Sequence, residues 1–250
     1  MPNFTWPDRQ RAAVSLTFDD ARDSQLDHGA PILAKHGTLA TFYVSLGPLQ
    51  ARASEWVAMS AAGHEIGNHT TTHPCTANNE WSRDNGLEDH TLATLEQDID
   101  GAAETIERVI GTPATTFAYP CGDRFVGRGE RTQSYVPLIA RRFLAGRGYP
   151  DETYAAPSVV DLAQVPGITM DGVPIERLTT LVEVAIELGS WLVLVAHDVE
   201  VSTTPPGPDP DLTIPGDVLD TLCGTLAADS RVWCASVRDV AGYVAAHRGG

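Results

Sequence analysis

Short apolar runs rich in β-branched and aromatic residues alternate along the chain with stretches of helical periodicity. The runs that predict strands are residues 12–18, 39–45, 64–69, 115–120, 154–162, 191–199 and 231–237. The stretches that predict helices are residues 25–35, 55–62, 88–110, 175–188 and 217–228. Repeated strand-then-helix units indicate a parallel sheet with crossover helices. In a chain of 250 residues they favour one α/β domain over residues 1–250, a distorted (β/α) barrel of seven or eight strands.

The barrel prediction also predicts where a functional site lies. Enzymes with this architecture place their catalytic groups just after the carboxyl ends of the strands. Asp19 and Asp20 follow the first run, His69 and His73 follow the third, and His197 ends the apolar part of the sixth. We therefore expect these five side chains to meet at one edge of the sheet.

Composition and charge exclude several classes of function. The net charge is −16 and the arginines do not cluster, which argues against a nucleic-acid partner because phosphate binding needs a basic stripe. The longest apolar runs, such as WLVLVA, are too short to span a bilayer, and the N-terminus has no apolar segment typical of a secretory signal. We expect a cytoplasmic protein with no membrane partner, and the sequence leaves the oligomeric state open.

The four cysteines show no CxxC pair and no framework spacing. They are Cys75, Cys121, Cys223 and Cys234. Free thiols in a reducing compartment fit this spacing best, with two disulfides as the alternative.

The histidine-rich segment HEIGNHTTTHPC, residues 64–75, indicates a metal site only in combination with other residues. A single His-x-x-x-His pair is weak evidence, and the zinc-protease pattern His-Glu-x-x-His is absent. Asp20 adds a carboxylate to His69 and His73, and three such ligands leave one coordination position open for water. The Asp-Asp pair is also compatible with a helix cap and turn, and His64 is expected to be structural.

His197 emerges from the apolar run LVLVAHD and has two interpretations. At the rim of an active site it is a general acid, whereas in isolation it is a core histidine bonded to a backbone carbonyl. The motifs of serine hydrolases, P-loop proteins and dinucleotide-binding folds are absent.

Four motifs, in this order, resemble those of the polysaccharide deacetylase family, also called the NodB-homology domain or carbohydrate esterase family four. They are TFDD, HEIGNHTTTHP, FAYPCG and LVLVAHD, and the similarity extends from LTFDD to VWCASVRDVAGYV. The resemblance implies a distorted (β/α) barrel that removes acetyl groups, usually from N-acetylated sugars, with a divalent metal. Zinc is the first expectation, and cobalt, nickel or iron suit the same ligands.

The resemblance also implies a role for each matching residue. The implied metal ligands are Asp20, His69 and His73. Asp19 is then the general base for the water at the metal, which attacks the acyl carbonyl. The backbone N–H of Cys121 stabilises the oxyanion, and His197 protonates the leaving group.

The third motif departs from the family pattern Arg-x-Pro-Tyr. Residues 118–121 read AYPC, so the arginine that orients the base is missing. Arg147 and Arg124 are candidates to replace it. We also expect Tyr119, Pro120 and Arg147 to contact substrate.

The fourth motif, which supplies an aspartate to the acidic histidine, is not recognisable. Asp161 is the first candidate and Asp171 the second. Residues 122–150 read as an insertion beside the groove, and residues 202–216 as a Pro-rich loop near the site. The insertion and the missing export signal favour a small or oligomeric substrate over a polymer.

Three functions remain open at this point. The first is a metal-dependent deacetylase of N-acetylated amino sugars or oligosaccharides. The second is an O-acetyl esterase or small-amide hydrolase that uses the same site. The third is a non-catalytic barrel that binds sugar or metal, which the presence of Asp19, Asp20, His69, His73 and His197 disfavours.

Overall fold

The computed structural model describes residues 4–151, 153–201 and 211–249. In these residues twelve strands alternate with helices. The strands are β1 Ala12–Asp19, β2 Ala40–Val44, β3 Glu65–Asn68, β4 Thr116–Ala118, β5 Phe125–Val126, β6 Gln133–Ser134, β7 Ala145–Arg147, β8 Ile168–Thr169, β9 Trp191–Ala196, β10 Asp198–Glu200, β11 Thr213–Pro215 and β12 Val232–Cys234.

Eight α-helices occur in the same described residues. They are α1 Ala30–His36, α2 Leu46–Ala51, α3 Ala53–Ala61, α4 Leu92–Ile110, α5 Val136–Arg142, α6 Ile175–Leu188, α7 Gly216–Ala228 and α8 Val237–His247. A π-helical turn, Gln25–Gly29, leads into α1, and 3₁₀ turns include Glu80–Asn85, Pro120–Gly122 and Leu162–Gln164. No helix among the described residues is both long and apolar enough to cross a membrane.

The main sheet is parallel throughout and curls on itself. Its strand order is β7-β4-β3-β2-β1-β9-β8. On one side of β1, β12 pairs with residues 12–14 and β2 with residues 16–19, while β9 pairs along the other side. An isolated parallel bridge from Arg147 to Val165 links β7 to the segment that leads into β8. The predicted distorted barrel of seven or eight strands is confirmed.

Six strands of the main sheet are buried over their whole length. Every residue of β1, β2, β3, β4, β7 and β9 is buried. This is typical of a parallel sheet whose interior is filled by side chains and whose outer face is covered by helices. The helix α4 is one such cover: Thr91 caps its N-terminus, Leu95 and Ile99 are buried, and it ends at Gly111 with a φ of 84°.

The prediction of a strand at residues 154–162 was wrong. Only Ala155 pairs with a strand, in an isolated antiparallel bridge to Trp191, and Asp161 then caps a 3₁₀ turn. Pro157 lies in the middle of this run and has no N–H to donate to a ladder. Ala155, Val160 and Leu162 pack instead into a core cluster around Trp191 and Val193.

Other elements differ from the prediction in number or in their ends. The structure contains β7, β8, α2, α5 and α8, which the sequence patterns did not predict. Their strands have only two or three residues, too few to show a periodicity. The predicted strand at residues 191–199 is divided at His197 into β9 and β10, and the helix predicted from residue 88 begins at Leu92.

Residues 122–150 are not an insertion. They form the hairpin of β5 and β6, then α5, and then β7, which is a strand of the main sheet paired with β4. Residues 202–210 of the predicted Pro-rich loop lie outside the described residues. The remainder includes β11, which pairs with β10.

Candidate active site

A cavity of about 460 Å³ opens at the carboxyl ends of the central strands, as the barrel prediction requires. Its volume lies within the usual range for small-ligand pockets. Its lining combines carboxylates, imidazoles, one guanidinium and two aromatic rings. The lining residues are Asp19, Asp20, Arg22, His69, His73, Trp81, Cys121, Tyr149, His197 and Leu212.

Asp20, His69 and His73 converge on one point of this cavity. The two Nε2 atoms are 3.1 Å apart, and Asp20 Oδ1 lies 3.8 Å from that of His69 and 3.6 Å from that of His73. Ligands of a tetrahedral zinc, each about 2.0–2.1 Å from the ion, are about 3.3 Å apart. The three donors therefore fit a divalent cation.

The local environment keeps these three donors in the state that binds a metal. His69 Nδ1 lies 3.0 Å from the carbonyl oxygen of Ala118, an acceptor that favours the tautomer with its proton on Nδ1 and so leaves the lone pair of Nε2 available to a cation. Burial lowers the pKa of His73 to about 4, and His69 adds to the effect. Burial would raise the pKa of Asp20, but the neighbouring imidazoles of His69 and His73, together with His197 and Arg22, lower it to about 2.

Asp19 is the last residue of β1 and is only 3% exposed. Nη2 of Arg147, the last residue of β7, donates to both carboxylate oxygens of Asp19. Burial would raise the pKa of Asp19, but the guanidinium of Arg147, aided by His69 and His197, holds it below its ordinary value. Arg147 therefore supplies the cation that the third motif lacks.

His197 follows β9 and is paired with Asp171, which lies two residues beyond β8. The Asp171 carboxylate accepts hydrogen bonds from Nδ1 of His197 at 2.7 Å and from its backbone N–H at 3.2 Å. Burial would lower the pKa of His197, but the hydrogen bond to Asp171 and the nearby carboxylates raise it above its ordinary value. This imidazole is equipped to remain protonated and to donate.

The loop after β4 places Cys121 in the lining of the cavity. The N–H of Cys121 donates to no acceptor among the residues that the structure describes. Gly122 has a φ of 73°, and a Cβ there would lie 1.3 Å from the carbonyl oxygen of Tyr149, so only glycine allows this approach. Asp20, His73 and Cys121 also have positive φ values, which cost free energy in residues other than glycine and recur at functional sites.

A disulfide joins Cys75 to Cys121, so the expectation of free thiols was wrong for this pair. The two residues are 46 positions apart, but they follow β3 and β4, which are neighbours in the sheet. The bridge ties the loop that carries His73 to the loop that carries the free N–H. Cys223 and Cys234 are free thiols.

Two residues that the sequence analysis did not single out also support the site. The side-chain amide of Gln25 is fully buried and donates to the backbone carbonyls of Asp19 and His197, at 2.6 and 2.9 Å. It thereby fixes the ends of β1 and β9 relative to each other. Arg22 donates to Asp20 at 3.1 Å and to Asp198 at 2.8 Å. A single Gln or Arg in a turn gives no sequence signal for either contact.

Several predicted site residues lie elsewhere. Tyr119 is fully buried and donates its hydroxyl hydrogen to the carbonyl of Ala163, and Pro120 is also buried. Neither lines the cavity. Their predicted substrate contacts are therefore not supported, because both side chains face the protein interior. Arg147 is 0% exposed and contacts the carboxylate at the end of β1 instead of open cavity.

The remaining alternatives are resolved by their contacts. Arg124 pairs with Asp151 at 3.4 Å, so it does not replace the motif-three arginine. Asp161 accepts from the backbone N–H of Ala163 as a cap, and it is not the partner of the acidic histidine. His64 accepts from the backbone N–H of Ala40 at 3.2 Å outside the cavity, as expected for a structural residue.

The sequence matches the family model of the polysaccharide deacetylases over residues 7–133, just over half of the chain. The chain belongs to this family. A gellan lyase from Bacillus sp. is 30% identical over 162 residues, which cover 65% of this chain but 6% of that protein. The chain thus spans only a small part of the length of this relative.

Solved structures with the same fold include proteins of different activities. A candidate polysaccharide deacetylase from Mycobacterium smegmatis superposes with a TM-score of 0.67 at 19% identity, over 100% of this chain and 96% of that one. Puue allantoinase also gives 0.67, at 15% identity over 100% and 96%. A family 4 acetyl xylan esterase from Clostridium thermocellum, in complex with a cobalt ion, gives 0.57 at 20% identity over 91% and 89%. At these identities the similarity establishes the fold alone.

Proposed function

We propose that this polysaccharide deacetylase family member is a metal-dependent hydrolase that removes an acetyl group from an N-acetylated amino sugar or oligosaccharide. One observation carries the proposal. Three converging donors, Asp20, His69 and His73, share one cavity with an ionised buried carboxylate and with a histidine whose pKa is raised. Base, acid and cation site are the three parts that hydrolysis of an unactivated amide needs.

Asp20, His69 and His73 would bind the cation. When bound, a divalent cation lowers the pKa of a water molecule and polarises a carbonyl oxygen. The oxygen-and-nitrogen donor set suits zinc, with cobalt or nickel as alternatives.

Asp19 acts as the general base in this proposal. Its carboxylate accepts a proton from the attacking water as the new C–O bond forms at the acyl carbon. Arg147 occupies both carboxylate oxygens, so it keeps Asp19 ionised and fixes its orientation. Asp19 is thus ionised at neutral pH and able to accept a proton, even though it is buried.

The backbone N–H of Cys121 is the candidate donor to the oxyanion that develops on the acyl oxygen. A preorganised donor of this kind typically stabilises the transition state by about 2.7–4 kcal/mol. The disulfide to Cys75 limits the movement of this loop relative to His73, which favours preorganisation.

His197 completes the reaction as the general acid. When the C–N bond breaks, its imidazolium gives a proton to the leaving nitrogen, and Asp171 stabilises the charged ring before the transfer. Acetate and a free amine are the products. Asp19 then gives up the proton that it accepted from water, and His197 regains one. Both groups thereby return to their resting states.

Metal analysis of the purified protein, together with acetate release from a panel of acetylated sugars, tests the proposal. We expect about one equivalent of a divalent metal, loss of activity after chelation, and recovery with zinc, cobalt or nickel. Protein that releases no acetate from any sugar after reloading with each of these metals would refute the enzyme assignment.

The choice between amide and ester substrates depends on the leaving group. An amine must be protonated to leave, whereas an activated alcohol need not be. His197→Ala should therefore reduce amide cleavage far more than cleavage of an activated acetate ester. Equal losses on both would undo this distinction between amide cleavage and the alternative, an O-acetyl esterase or small-amide hydrolase on the same site.

The preference for a small or oligomeric substrate remains a prediction. Equal turnover of an acetylated polymer and of its short oligomers would contradict it.

A further inference from the structure

Trp81 is an aromatic residue of the cavity that is left largely in solvent. It is 65% exposed, whereas large aromatic side chains are normally mostly buried. Exposed large apolar residues also occur elsewhere among the described residues, for example Phe125, Val159 and Leu188. None of these three lines the cavity, and Trp81 does.

The segment that carries Trp81 is hydrogen-bonded to the loop at residues 69–75, which carries His69 and His73. Trp81 lies in the 3₁₀ turn Glu80–Asn85. The next residue, Ser82, accepts from the N–H of Cys75 at 3.1 Å and donates to its carbonyl at 3.0 Å. Asn85 donates to the carbonyl and the hydroxyl of Thr72, at 3.2 and 2.9 Å. The backbone that follows Trp81 is therefore held against the loop that carries His73, and the exposed indole projects from an anchored turn.

The indole lies next to the metal-ligand set. The ring centroids of Trp81 and His73 are 5.9 Å apart, with the planes tilted by 39°. A molecule that packs on the remaining open surface of the indole is therefore adjacent to the converging donors. The reactive group of such a molecule has to extend only past the His73 imidazole to reach these donors.

The chemistry of the cavity indicates what packs there. Deeper in the cavity the lining is polar and charged, with Asp19, Asp20 and His197, while its rim at Trp81 is apolar and aromatic. A pyranose ring matches both parts, because one face presents C–H groups and its edge presents hydroxyls and the acylated nitrogen. The electron-rich face of an indole attracts the weakly positive C–H groups on the face of such a ring.

We propose that Trp81 is the stacking platform for a pyranose ring of the substrate, and that it determines specificity for sugars over acyclic acetyl compounds. This inference rests on the proposed function. The ring that stacks on Trp81 directs its acylated substituent toward the site of Asp20, His69 and His73, and Trp81 takes no part in proton transfer.

Kinetics with Trp81→Ala and Trp81→Phe test this role. Against N,N′-diacetylchitobiose, we expect Trp81→Ala to raise KM by about 5- to 10-fold, as the loss of an aromatic contact predicts, with kcat within about 2-fold. Trp81→Phe retains a ring and should restore most of the affinity. Ethyl acetate, which has no ring, should show unchanged kinetics in all variants. Phe125→Ala, which removes an exposed ring outside the cavity, is the matched control and should change nothing.

Two further measurements distinguish a stacking role of Trp81 from a purely structural one. The affinity for zinc, measured by competition with a chelating dye, should be the same in Trp81→Ala and in the wild type. The initial change in tryptophan fluorescence on mixing with N,N′-diacetylchitobiose should be present in the wild type and absent in Trp81→Phe, although the four other tryptophans remain.

Each outcome has a distinct meaning. Acetate release with an unchanged KM in Trp81→Ala would overturn the platform and leave the proposed function intact. A fluorescence change without acetate release from any sugar of the panel would support the platform and refute the proposed function, and the absence of both with every sugar would refute both. Equal losses on the sugar and on ethyl acetate, with weaker zinc binding, would mean that Trp81 only supports His73, which also overturns the inference.

Discussion

Replacing Arg147 by methionine should disable the base and destabilise the fold at the same time. Arg147 is 0% exposed and Asp19 is 3% exposed, so bulk water can solvate the charge of Asp19 only weakly once its partner is removed. Methionine fills much of the space of the arginine stem but has no charge and no N–H group. The substitution therefore leaves a buried carboxylate without its cation.

The expected loss of stability is large. Removal of one member of a buried ion pair typically costs about 3–5 kcal/mol. Because both side chains of this pair are almost fully buried, solvent does little to screen the interaction and the value is not reduced for it. The guanidinium also lies 5.2 Å from the ring centroid of Tyr43, so part of the loss is packing. Chemical denaturation at neutral pH measures this difference.

The pH dependence of the loss follows from the pKa of Asp19. The folded pKa is held below its ordinary value, so the ion pair contributes stability above the unfolded pKa and loses it as the pH falls through the folded pKa. The stability gap between the wild type and Arg147→Met should therefore be largest at neutral and higher pH. It should narrow as the pH falls, first through the raised pKa of Asp19 in the variant and then below about pH 4, where the wild type loses the ion pair.

The hydrolytic activity of Arg147→Met should also fall. Without Arg147, burial raises the pKa of Asp19, and the base becomes protonated at higher pH. The acidic limb of the pH profile of kcat/KM should move to higher pH, and kcat/KM should fall by about 10²- to 10⁴-fold, the usual contribution of a general base. Arg147→Lys keeps a positive charge and should show a smaller loss.

Arg124→Met is the matched control, because Arg124 pairs with Asp151 and does not contact Asp19. Arg124→Met should leave the acidic limb of the pH profile of kcat/KM at its wild-type position. The reasoning would be refuted if Arg147→Met kept the wild-type limb and activity within about 3-fold, or if both methionine variants behaved alike.

Three further predictions concern the acid, the disulfide and the ligands. Asp171→Asn should lower the pKa of His197 and move the alkaline limb of kcat/KM to lower pH, with larger losses on amides than on activated esters. Cys75→Ser removes a crosslink between residues 46 positions apart and should lower the free energy of unfolding by about 2–4 kcal/mol, measured by denaturation without reductant. His69→Ala should abolish metal binding by elemental analysis, whereas His64→Ala should leave the metal content nearly intact.

The chain offers a matched control for two of these changes. Asp161→Asn alters a cap that does not contact the acidic histidine, so it should cost about 1 kcal/mol or less and leave the alkaline limb in place. Cys223→Ser alters a free buried thiol and should not reproduce the effect of losing the crosslink. An unmoved alkaline limb in Asp171→Asn, or equal metal loss in the two histidine variants, would contradict the corresponding assignment.

The sequence predicted the elements whose pattern is long or strongly apolar. The runs of β1, β2 and β9 and the periodicity of α4 and α6 were all recognised, because each contains enough residues to show its period. The shorter β3, β4 and β12 were recognised as parts of longer predicted runs. The strands β7 and β8 have three and two residues, and no period can be read from them. As a result, the segment that supplies Arg147 was interpreted as an insertion.

The positions of Asp19, Asp20, His69, His73 and His197 after the central strands were also predictable. Residues that follow parallel strands meet at one edge of the sheet, so their order along the chain is sufficient to bring them together.

Pairings between distant positions could be decided only by the tertiary structure. The sequence offered Arg147 or Arg124 for the base and Asp161 or Asp171 for the acid, and it favoured free thiols at Cys75. Each choice depends on which strands are neighbours after the sheet curls, and one sequence contains no record of that adjacency. The sequence by itself therefore determined which chemical groups are present and at which edge, while the tertiary structure decided which of them are partners.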